Sequence, residues 1–406
     1  MNDSQFSALA AWITEVGLAG RSQTELLAGF CERATAAGLP LAFGLLLVDT
    51  LHPRHEGRAV SWYRGEPATI VEYGRTTTGE AAENWRRSIL HRLFTTGEPF
   101  IRRRLTPEAE AEFPALRATR ERGMTDYVGI LNRFAAAGVI GELDCILSAW
   151  TTDRAEGFTD DDIAILCRLV PFLAIAVKCT ALAEIAETLV STYLGRDAGR
   201  MVLGGRIERG VADRIDAVLW FSDLHDYTGI TEAAAPEQII PLLNDYAEAI
   251  IAAVDAEGGD VLKLIGDGIL AIFRAEDRVG ACRHAIAATI AAQDGIAALN
   301  RRRAADGAPT THMYLGLHVG EVFFGNVGSE SRLDFTVVGP AVNEVSRIAA
   351  MCRAVDQPML VSAAFAGALG QAGPALVSVG RYALRGVSAP QELFTLDPEP
   401  AASGGV

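Results

Sequence analysis

The sequence has few cysteines, and those it has form no recognisable pair. Its 406 residues contain six of them, and no C-x-x-C motif occurs. They are Cys31, Cys145, Cys167, Cys179, Cys282 and Cys352. The seven histidines also lack the spacing of metal ligands. Scattered cysteines of this kind favour reduced, mostly buried thiols over a disulfide framework or a structural zinc site.

Positive charge and long apolar runs are also scarce. The formal net charge is −15 at pH 7, which argues against the basic face of a nucleic-acid-binding protein. Lys178 and Glu184 interrupt the most apolar stretch, so no uninterrupted run reaches the roughly 20 residues of a membrane span. The first residues, MNDSQFSALAAW, lack the basic region and cleavage site of a signal peptide. We therefore expect a cytoplasmic protein with no membrane span and no nucleic-acid partner.

The length predicts two domains, and the first half has the pattern of an α+β unit. Helical patterns occur near 6–37 and 79–97, and LAFGLLLVDT and ELDCILSAWTT are typical of strands. A long closing helix should begin after Thr159, which is a favourable N-cap and precedes three acidic residues. This order predicts a sheet with helices before and after it.

Residues of about 20–180 resemble GAF domains, which are small sensory modules. The resemblance is one of pattern: a final sheet strand is followed by a turn, GFTDDDIAIL and the long helix. It implies that residues 1–180 form a GAF-like sensory or dimerisation domain with a small-molecule ligand of unknown identity. A generic α+β dimerisation domain is the alternative. Trp85, His91 and Tyr127 could line a pocket or could be ordinary core and surface residues.

Residues 181–212 have the pattern of a helical signalling linker. Leu182, Ile185, Leu189 and Tyr193 recur at steps of three and four residues, which is the spacing of a helical seam that could join two protomers. Five glycines then loosen the chain. They are Gly195, Gly199, Gly204, Gly205 and Gly210.

Two aspartates mark the second half as a candidate site for cations. Asp223 ends the apolar run AVLWFSD, and Asp267 lies in the turn of the hairpin pattern VLKLIGDGILAIF. Each alone could simply close a strand or fill a turn, since aspartate is common in turns. Together, however, two carboxylates at neighbouring strand ends can bind Mg²⁺ ions and support phosphoryl or nucleotidyl transfer.

Four motifs around these aspartates resemble the catalytic domain of class III nucleotidyl cyclases, the adenylate and guanylate cyclase family. They are FSDLHDYT, KLIGDGILAIF, LHVGEVFFGNVG and FTVVGPAVNEVSR, and they occur in family order over about 190 residues. The resemblance implies an α+β, ferredoxin-like (βαββαβ) domain over residues 213–398, followed by a flexible tail, 399–406. It also implies a homodimer, with sites formed at the interface by residues of both protomers.

The resemblance assigns a role to each of five residues, which include the two aspartates. Asp223 and Asp267 correspond to the family's metal ligands, for two Mg²⁺ or Mn²⁺ ions. The main-chain carbonyl of Leu224 is assigned to the metals and the bound substrate. Lys263 and Thr336 match the pair that reads the purine, and this combination is similar to that of the bacterial adenylate-forming subgroup. A lysine ammonium can only donate, which suits the acceptor nitrogen of adenine.

The remaining assignments complete an adenylate cyclase that converts ATP to 3′,5′-cyclic AMP and pyrophosphate. Asn343 and Arg347, four residues apart on one helix face, would orient the ribose and neutralise charge on the α-phosphate. Arg385 stands where the family often has a lysine for the terminal phosphates. The sensor domain would regulate turnover by changing the arrangement of the two cyclase domains.

The chain departs from the family pattern at two places. Asp226 and Tyr227 replace a glycine and a phenylalanine before Thr228, and the extra negative charge should disfavour the polyphosphate unless it turns away. Pro340 replaces a residue that is often polar. His225 lies close to the predicted metal ligands, but we expect it to be a loop residue rather than a catalytic base.

Three other functions remain open from the sequence. A diguanylate cyclase is disfavoured, because Gly258, Gly259 and Asp260 precede the strand instead of forming the hairpin turn. A class III cyclase acting on GTP or a pyrimidine nucleotide is the second. The third is a catalytically weak signalling protein whose main role is ligand sensing.

Overall fold

The computed structural model describes residues 1–74, 78–134, 139–387 and 389–397. The chain divides into two compact units, Met1–Leu189 and Val190–Val406. The predicted tail, 399–406, lies outside the described residues. Each unit is a mixture of helices and strands with its own hydrophobic core.

The N-terminal unit is built around one sheet. Its helices are α1 (Asp3–Leu18), α2 (Gln23–Ala36), α3 (Gly79–Arg86), α4 (Ile89–Thr96), α5 (Pro107–Glu112), α6 (Leu116–Glu121) and α7 (Asp160–Leu194), the last of which extends past the boundary. Its strands are β1 (Phe43–Asp49), β2 (Gly57–Tyr63), β3 (Thr69–Tyr73), β4 (Phe100–Arg104), β5 (Asp126–Arg133) and β6 (Cys145–Thr152). The strand order is β3-β2-β1-β6-β5-β4, with antiparallel neighbours.

Alternating residues of the strands face two separate cores. Leu46 and Val48 of β1 pack in the core that contains α1, α2 and α7. Leu45 and Leu47 pack on the opposite face, in the core that contains α4, α5 and α6. Side chains alternate between the faces of a strand, so one strand supplies both layers. The resemblance to GAF domains stays a prediction.

Helix α7 begins as its sequence predicts. The Thr159 hydroxyl accepts a hydrogen bond from the Asp162 backbone N–H at 3.1 Å, and the Asp162 carboxylate accepts one from the Thr159 N–H at 2.9 Å. Despite the interruptions at Lys178 and Glu184, the helix is long and apolar enough to cross a membrane, and half of its most apolar 18-residue window is buried inside the protein. Such burial is also the behaviour of an ordinary core helix, and the absence of a membrane span stays a prediction.

The predicted seam residues of α7 lie mostly within the N-terminal core. Ile185 is buried there, and Leu182 and Leu189 pack against the same core, whereas Tyr193 is exposed. Of the glycines that follow, Gly195 has a defined conformation at the start of a helix. Gly195 adopts a φ of 88° and is followed directly by helix α8 (Arg196–Leu203).

The C-terminal unit carries the four family-like motifs. Besides α8, its helices are α9 (Tyr227–Ala233), α10 (Pro236–Ala256), α11 (Arg278–Ala305), α12 (Pro340–Val355) and α13 (Ala363–Leu369). Its strands are β7 (Ala212–Leu224), β8 (Asp260–Ile265), β9 (Gly268–Arg274), β10 (Met313–Gly328), β11 (Leu333–Val338), β12 (Met359–Ser362), β13 (Leu376–Tyr382) and β14 (Gln391–Leu396). The sheet order is β13-β14-β12-β10-β7-β9-β8, and β11 pairs with β10.

The central strands of this sheet are covered on both faces. In β7, Val218 and Trp220 pack towards α10 and α11, whereas Ala217 and Leu219 pack in the core that includes α8 and α12. Burial on both sides explains why the motif AVLWFSD is an almost continuous apolar run rather than an alternating one. The end of β7 therefore has a fixed position, and the predicted metal ligand lies there.

Candidate active site

Asp223 and Asp267 lie side by side at one end of the sheet. Asp223 is the second-last residue of β7, whose neighbour in the sheet is β9. Asp267 follows Gly266 in the two-residue turn between β8 and β9, where Ile265 pairs with Gly268. Gly266 adopts a φ of 65°, which the tight hairpin turn requires and which glycine tolerates without strain.

The Asp267 carboxylate is close enough to Asp223 to change the protonation of Asp223. Burial, followed by the hydrogen bond and the charge of Asp267, raises the pKa of the Asp223 carboxyl to about 6. The Leu224 backbone N–H donates to Asp267 Oδ2 at 3.2 Å, which fixes the second carboxylate against the end of β7. Adjacent like charges of this kind favour either a shared proton or a bound cation.

The donor set fits Mg²⁺ or Mn²⁺ bound together with a phosphate substrate. Asp223, Asp267 and the Leu224 carbonyl supply oxygen atoms, which are the preferred ligands of such ions. Within the described ranges, no group of three or more His, Cys, Asp or Glu side chains forms an all-protein metal site. Mg²⁺ commonly uses one or two carboxylates and takes its other ligands from water and substrate phosphates.

Lys263 and Thr336 belong to a second cluster, which also contains a residue that the sequence did not predict. The Lys263 ammonium forms an ion pair with the Asp334 carboxylate. Asp334 and Thr336 are two residues apart on β11, so their side chains share one face of the strand. The Thr336 side chain is buried. The even spacing of Asp334 and Thr336 is the sequence signal that could have identified Asp334.

Asn343 and Arg347 lie four residues apart on α12, as predicted. Asn343 is exposed, and Arg347 is half-buried. A Cβ built on Gly386 would lie 3.4 Å from Arg347 Nη2, so the guanidinium reaches the turn that carries the exposed Arg385. Pro340 occupies the first turn of α12, where its missing N–H has no helical partner to lose.

The carboxylate pair is not connected to the remaining predicted site residues within one chain. Among the described residues, no hydrogen bond or ion pair joins Asp223 or Asp267 to Lys263, Asn343 or Arg347. The structure therefore shows three groups: the carboxylate pair at the end of β7, Lys263 and Asp334 with Thr336 on β11, and Arg347 of α12 near the turn of Arg385.

Asp226 has the backbone conformation of a glycine. It adopts φ 53° and ψ 29° just before α9, a left-handed conformation that aspartate tolerates better than most residues. A Cβ built on Gly229 would lie 2.7 Å from Asp226 Oδ2, and Arg353 Nη2 lies 3.7 Å from Oδ1. The carboxylate is thus directed over the first turn of α9 and is partly balanced by an arginine.

His225 packs in a small aromatic cluster. Its backbone N–H donates to the His312 carbonyl at 2.8 Å, and its ring stacks on His312 with centroids 4.3 Å apart. Tyr314 packs edge-on against both rings. These contacts are those of a packed loop residue.

Comparison with known proteins identifies the domain that carries this site. The family model of the adenylate and guanylate cyclase catalytic domain matches residues 211–397. The chain is 36% identical over 160 residues to an adenylate cyclase of Anabaena cylindrica, covering 38% of this chain and 31% of that protein. It is 31% identical over 164 residues to adenylate cyclase 1 of Rhizobium meliloti, and the match covers 40% of this chain and 24% of that protein.

A solved structure gives a weaker likeness. The adenylyl cyclase CyaB from P. aeruginosa is 23% identical and aligns with a TM-score of 0.44, covering 48% of this chain and all of that one. The chain spans only about a quarter to a third of the length of the two curated relatives above. The motifs, the paired aspartates and the family match together show that residues 211–397 form a class III adenylate and guanylate cyclase catalytic domain.

Proposed function

We propose that this protein is a cytoplasmic adenylate cyclase that converts ATP to 3′,5′-cyclic AMP and pyrophosphate. The observation that carries the proposal is the pair of adjacent carboxylates at Asp223 and Asp267, in a unit that also contains Lys263 and Thr336, the two residues that the family resemblance assigns to the purine. The fold of this unit is proposed to be ferredoxin-like in its βαββαβ portion.

The carboxylates and the Leu224 carbonyl would hold two Mg²⁺ or Mn²⁺ ions. Such ions lower the pKa of an attacking hydroxyl and neutralise the polyphosphate. The protein supplies the geometry, because it fixes Asp267 by the Leu224 N–H and Asp223 by the sheet. Little further acid or base chemistry is then needed, and positioning carries most of the rate.

The second cluster would select and orient the nucleotide. The Lys263 ammonium donates to a ring nitrogen of adenine, and the Thr336 hydroxyl accepts from the exocyclic amine. Asn343 would position the ribose. The Arg347 guanidinium would stabilise the charge that grows on the α-phosphate, and Arg385 would bind the terminal phosphates.

We further propose that each active site is shared by the two protomers of a homodimer. Support comes from the absence, among the described residues, of any hydrogen bond or ion pair that joins the carboxylate pair to Lys263, Asn343 or Arg347 within one chain. Leu264 and Ile265, between Lys263 and Asp267, are 61% and 50% exposed. Large apolar side chains exposed beside a catalytic site favour a protein interface there.

Mixing two inactive variants tests the shared site. Asp223→Asn should remove one metal ligand, and Arg347→Ala should remove the phosphate-binding guanidinium, so each variant alone should be inactive. If the site is shared, mixed dimers regain one intact site, and an equal mixture should recover about a quarter of wild-type activity. A mixture that stays inactive while the subunits exchange contradicts the shared site.

A panel of nucleotides tests the substrate. We expect pyrophosphate release and cyclic product with ATP, in Mg²⁺ or Mn²⁺, at rates well above those with GTP, CTP or UTP. Equal or greater turnover of another nucleotide would instead support a cyclase of different specificity. Undetectable product from all four would support a signalling protein whose cyclase domain is silent.

The N-terminal unit is proposed to sense a small molecule and to regulate turnover. Deletion of residues 1–180 should change the specific activity while the catalytic unit stays folded. Identical activity and identical dimerisation after the deletion would argue against regulation by this unit.

A further inference from the structure

The N-terminal unit contains a cavity of about 370 Å³ that no catalytic residue lines. Its floor is formed by Leu47 and Leu147, from neighbouring strands of the sheet, and Phe94 and Trp85 from α4 and α3 also line it. The volume lies within the range of roughly 300–1,000 Å³ that is usual for small-molecule sites. The space is therefore suited to a compact organic molecule.

From the cavity lining, we infer that this site binds a small organic cation, a protonated amine with an apolar body. Binding here does not depend on the proposed cyclase activity. The inference rests on three features of the lining: a carboxylate that has no cationic partner among the described residues, a second carboxylate, and three aromatic residues.

Asp49 supplies the first feature. It ends β1 and lines the cavity, where its Oδ1 accepts a hydrogen bond from the Tyr73 hydroxyl at 2.7 Å. Over the part of the chain that the structure describes, no arginine, lysine or histidine forms an ion pair with it. Burial raises the pKa of this carboxyl to about 6. A buried carboxylate is costly unless a positive charge compensates it.

A second carboxylate reinforces the negative potential. Glu56 also lines the cavity, and its charge raises the pKa of Asp49. The Cys145 thiol in the wall stays neutral, because burial raises its pKa well above the ordinary value. Repulsion would therefore exclude phosphates and carboxylates, including the anionic substrate and product of the proposed reaction.

The aromatic residues distinguish an organic cation from a bare metal ion. Tyr73, Trp85 and Phe94 present three rings to one cavity. Ammonium groups are attracted to aromatic faces, and only an organic cation has an apolar body that the floor of the cavity can cover. A carboxylate among aromatic rings is thus matched to an amine whose apolar body covers Leu47 and Leu147.

Calorimetric titration of the full-length protein with three probes of similar shape tests the charge requirement. Phenethylamine is cationic, phenethyl alcohol is neutral and hydrocinnamate is anionic. We expect the amine to bind at least about tenfold more tightly than the alcohol, and the anion not to bind, because the cation alone compensates Asp49. Equal binding of amine and alcohol, or no heat from the amine at millimolar concentration, overturns the proposal.

Variants then locate the site. Asp49→Asn should weaken amine binding at least about tenfold and abolish the preference over the alcohol. Tyr73→Phe keeps the carboxylate and should retain the preference, so it serves as a second variant if Asp49→Asn folds poorly. Glu66→Gln, which removes a charge at an exposed position outside the lining, is the matched control. Unchanged amine binding in folded Asp49→Asn contradicts the assignment.

Discussion

Asp49 in the N-terminal unit and Asp223 in the catalytic unit are alike in protonation and different in surroundings. The pKa of each carboxyl is raised to about 6, and burial is the largest cause in both. Beside Asp223, near the end of β7, lies a second carboxylate, that of Asp267. Around Asp49 lie a tyrosine hydroxyl and aromatic rings. We propose that the neighbours, more than the carboxylate itself, determine whether a site suits a metal ion or an organic cation.

Both sites reduce the stability of the empty protein. A folded-state pKa above the unfolded value of about 3.9 means that the fold disfavours the ionised carboxylate. Strained electrostatics of this kind are typical of functional sites, where a ligand supplies the compensating charge. The comparison therefore predicts that each carboxylate can be removed with a gain in apo stability and a loss of one specific ligand.

The largest expected effect is on catalysis. Asp267→Asn should lower kcat by a factor of about 10³ or more, because the pair would lose the charge that holds the second cation. Cyclic product is measured with Mg²⁺ and with Mn²⁺. Asp306→Asn, at the exposed C-terminal end of α11, is the control and should retain wild-type activity. More than about a tenth of wild-type activity in Asp267→Asn would contradict two-metal catalysis.

The second effect is on amine binding as a function of pH. The Asp49 carboxyl becomes protonated below pH 6, whereas an aliphatic ammonium keeps its charge. Phenethylamine affinity should be constant above about pH 7 and should fall towards tenfold per unit below 6. Tyr73, Glu56, Asp144 and Glu142 are the titratable groups that act on Asp49. Affinity that does not change between pH 5 and 8 would contradict the role of this carboxylate.

A smaller effect is expected on stability. Asp223→Asn should raise the apo Tm above pH 6 by a few degrees, because it removes repulsion from Asp267. Protonation of Asp223 relieves the same repulsion in the wild type, so the gain should disappear as the pH falls from 6 towards 4. Thermal unfolding in the presence of a metal chelator measures this gain in Tm, and Asp306→Asn is the matched control. A gain that is independent of pH would point to a cause other than this ionisation.

The sequence predicts the carboxylate pair because the signals are local. AVLWFSD indicates a buried strand that ends in aspartate, and GDG indicates the hairpin turn, so both aspartates can be found without long-range contacts. Lys263 and Thr336 follow from the motifs. The spacing on β11 places Asp334 on the same face as Thr336, but no local pattern predicts its ion pair with Lys263, 71 residues away.

The N-terminal cavity and the α8 junction could not be predicted for the same reason. Asp49 and Tyr73 meet only because β1, β2 and β3 pair in one register. From its sequence context Gly195 is part of a flexible linker. In the structure it adopts a φ of 88° directly before α8, and the next N–H, that of Arg196, donates to Asp260 Oδ1 at 2.9 Å. Composition alone does not distinguish a mobile glycine from one that a turn requires.

The smallest expected effect concerns Asp226, whose negative charge lies three residues from Asp223. Asp226→Gly should lower the KM for ATP about two- to fivefold and leave kcat nearly unchanged. The effect is small because solvent and salt screen the repulsion between the Asp226 carboxylate and the polyphosphate. Glycine suits the φ of 53°, and the exposed contact with Arg353 adds little stability. Asp226→Asn separates charge from shape: it should reproduce the lower KM, and the gain should shrink in high salt. An unchanged KM in both variants would show that the Asp226 carboxylate, which is directed over α9, already lies too far from the phosphates to repel them.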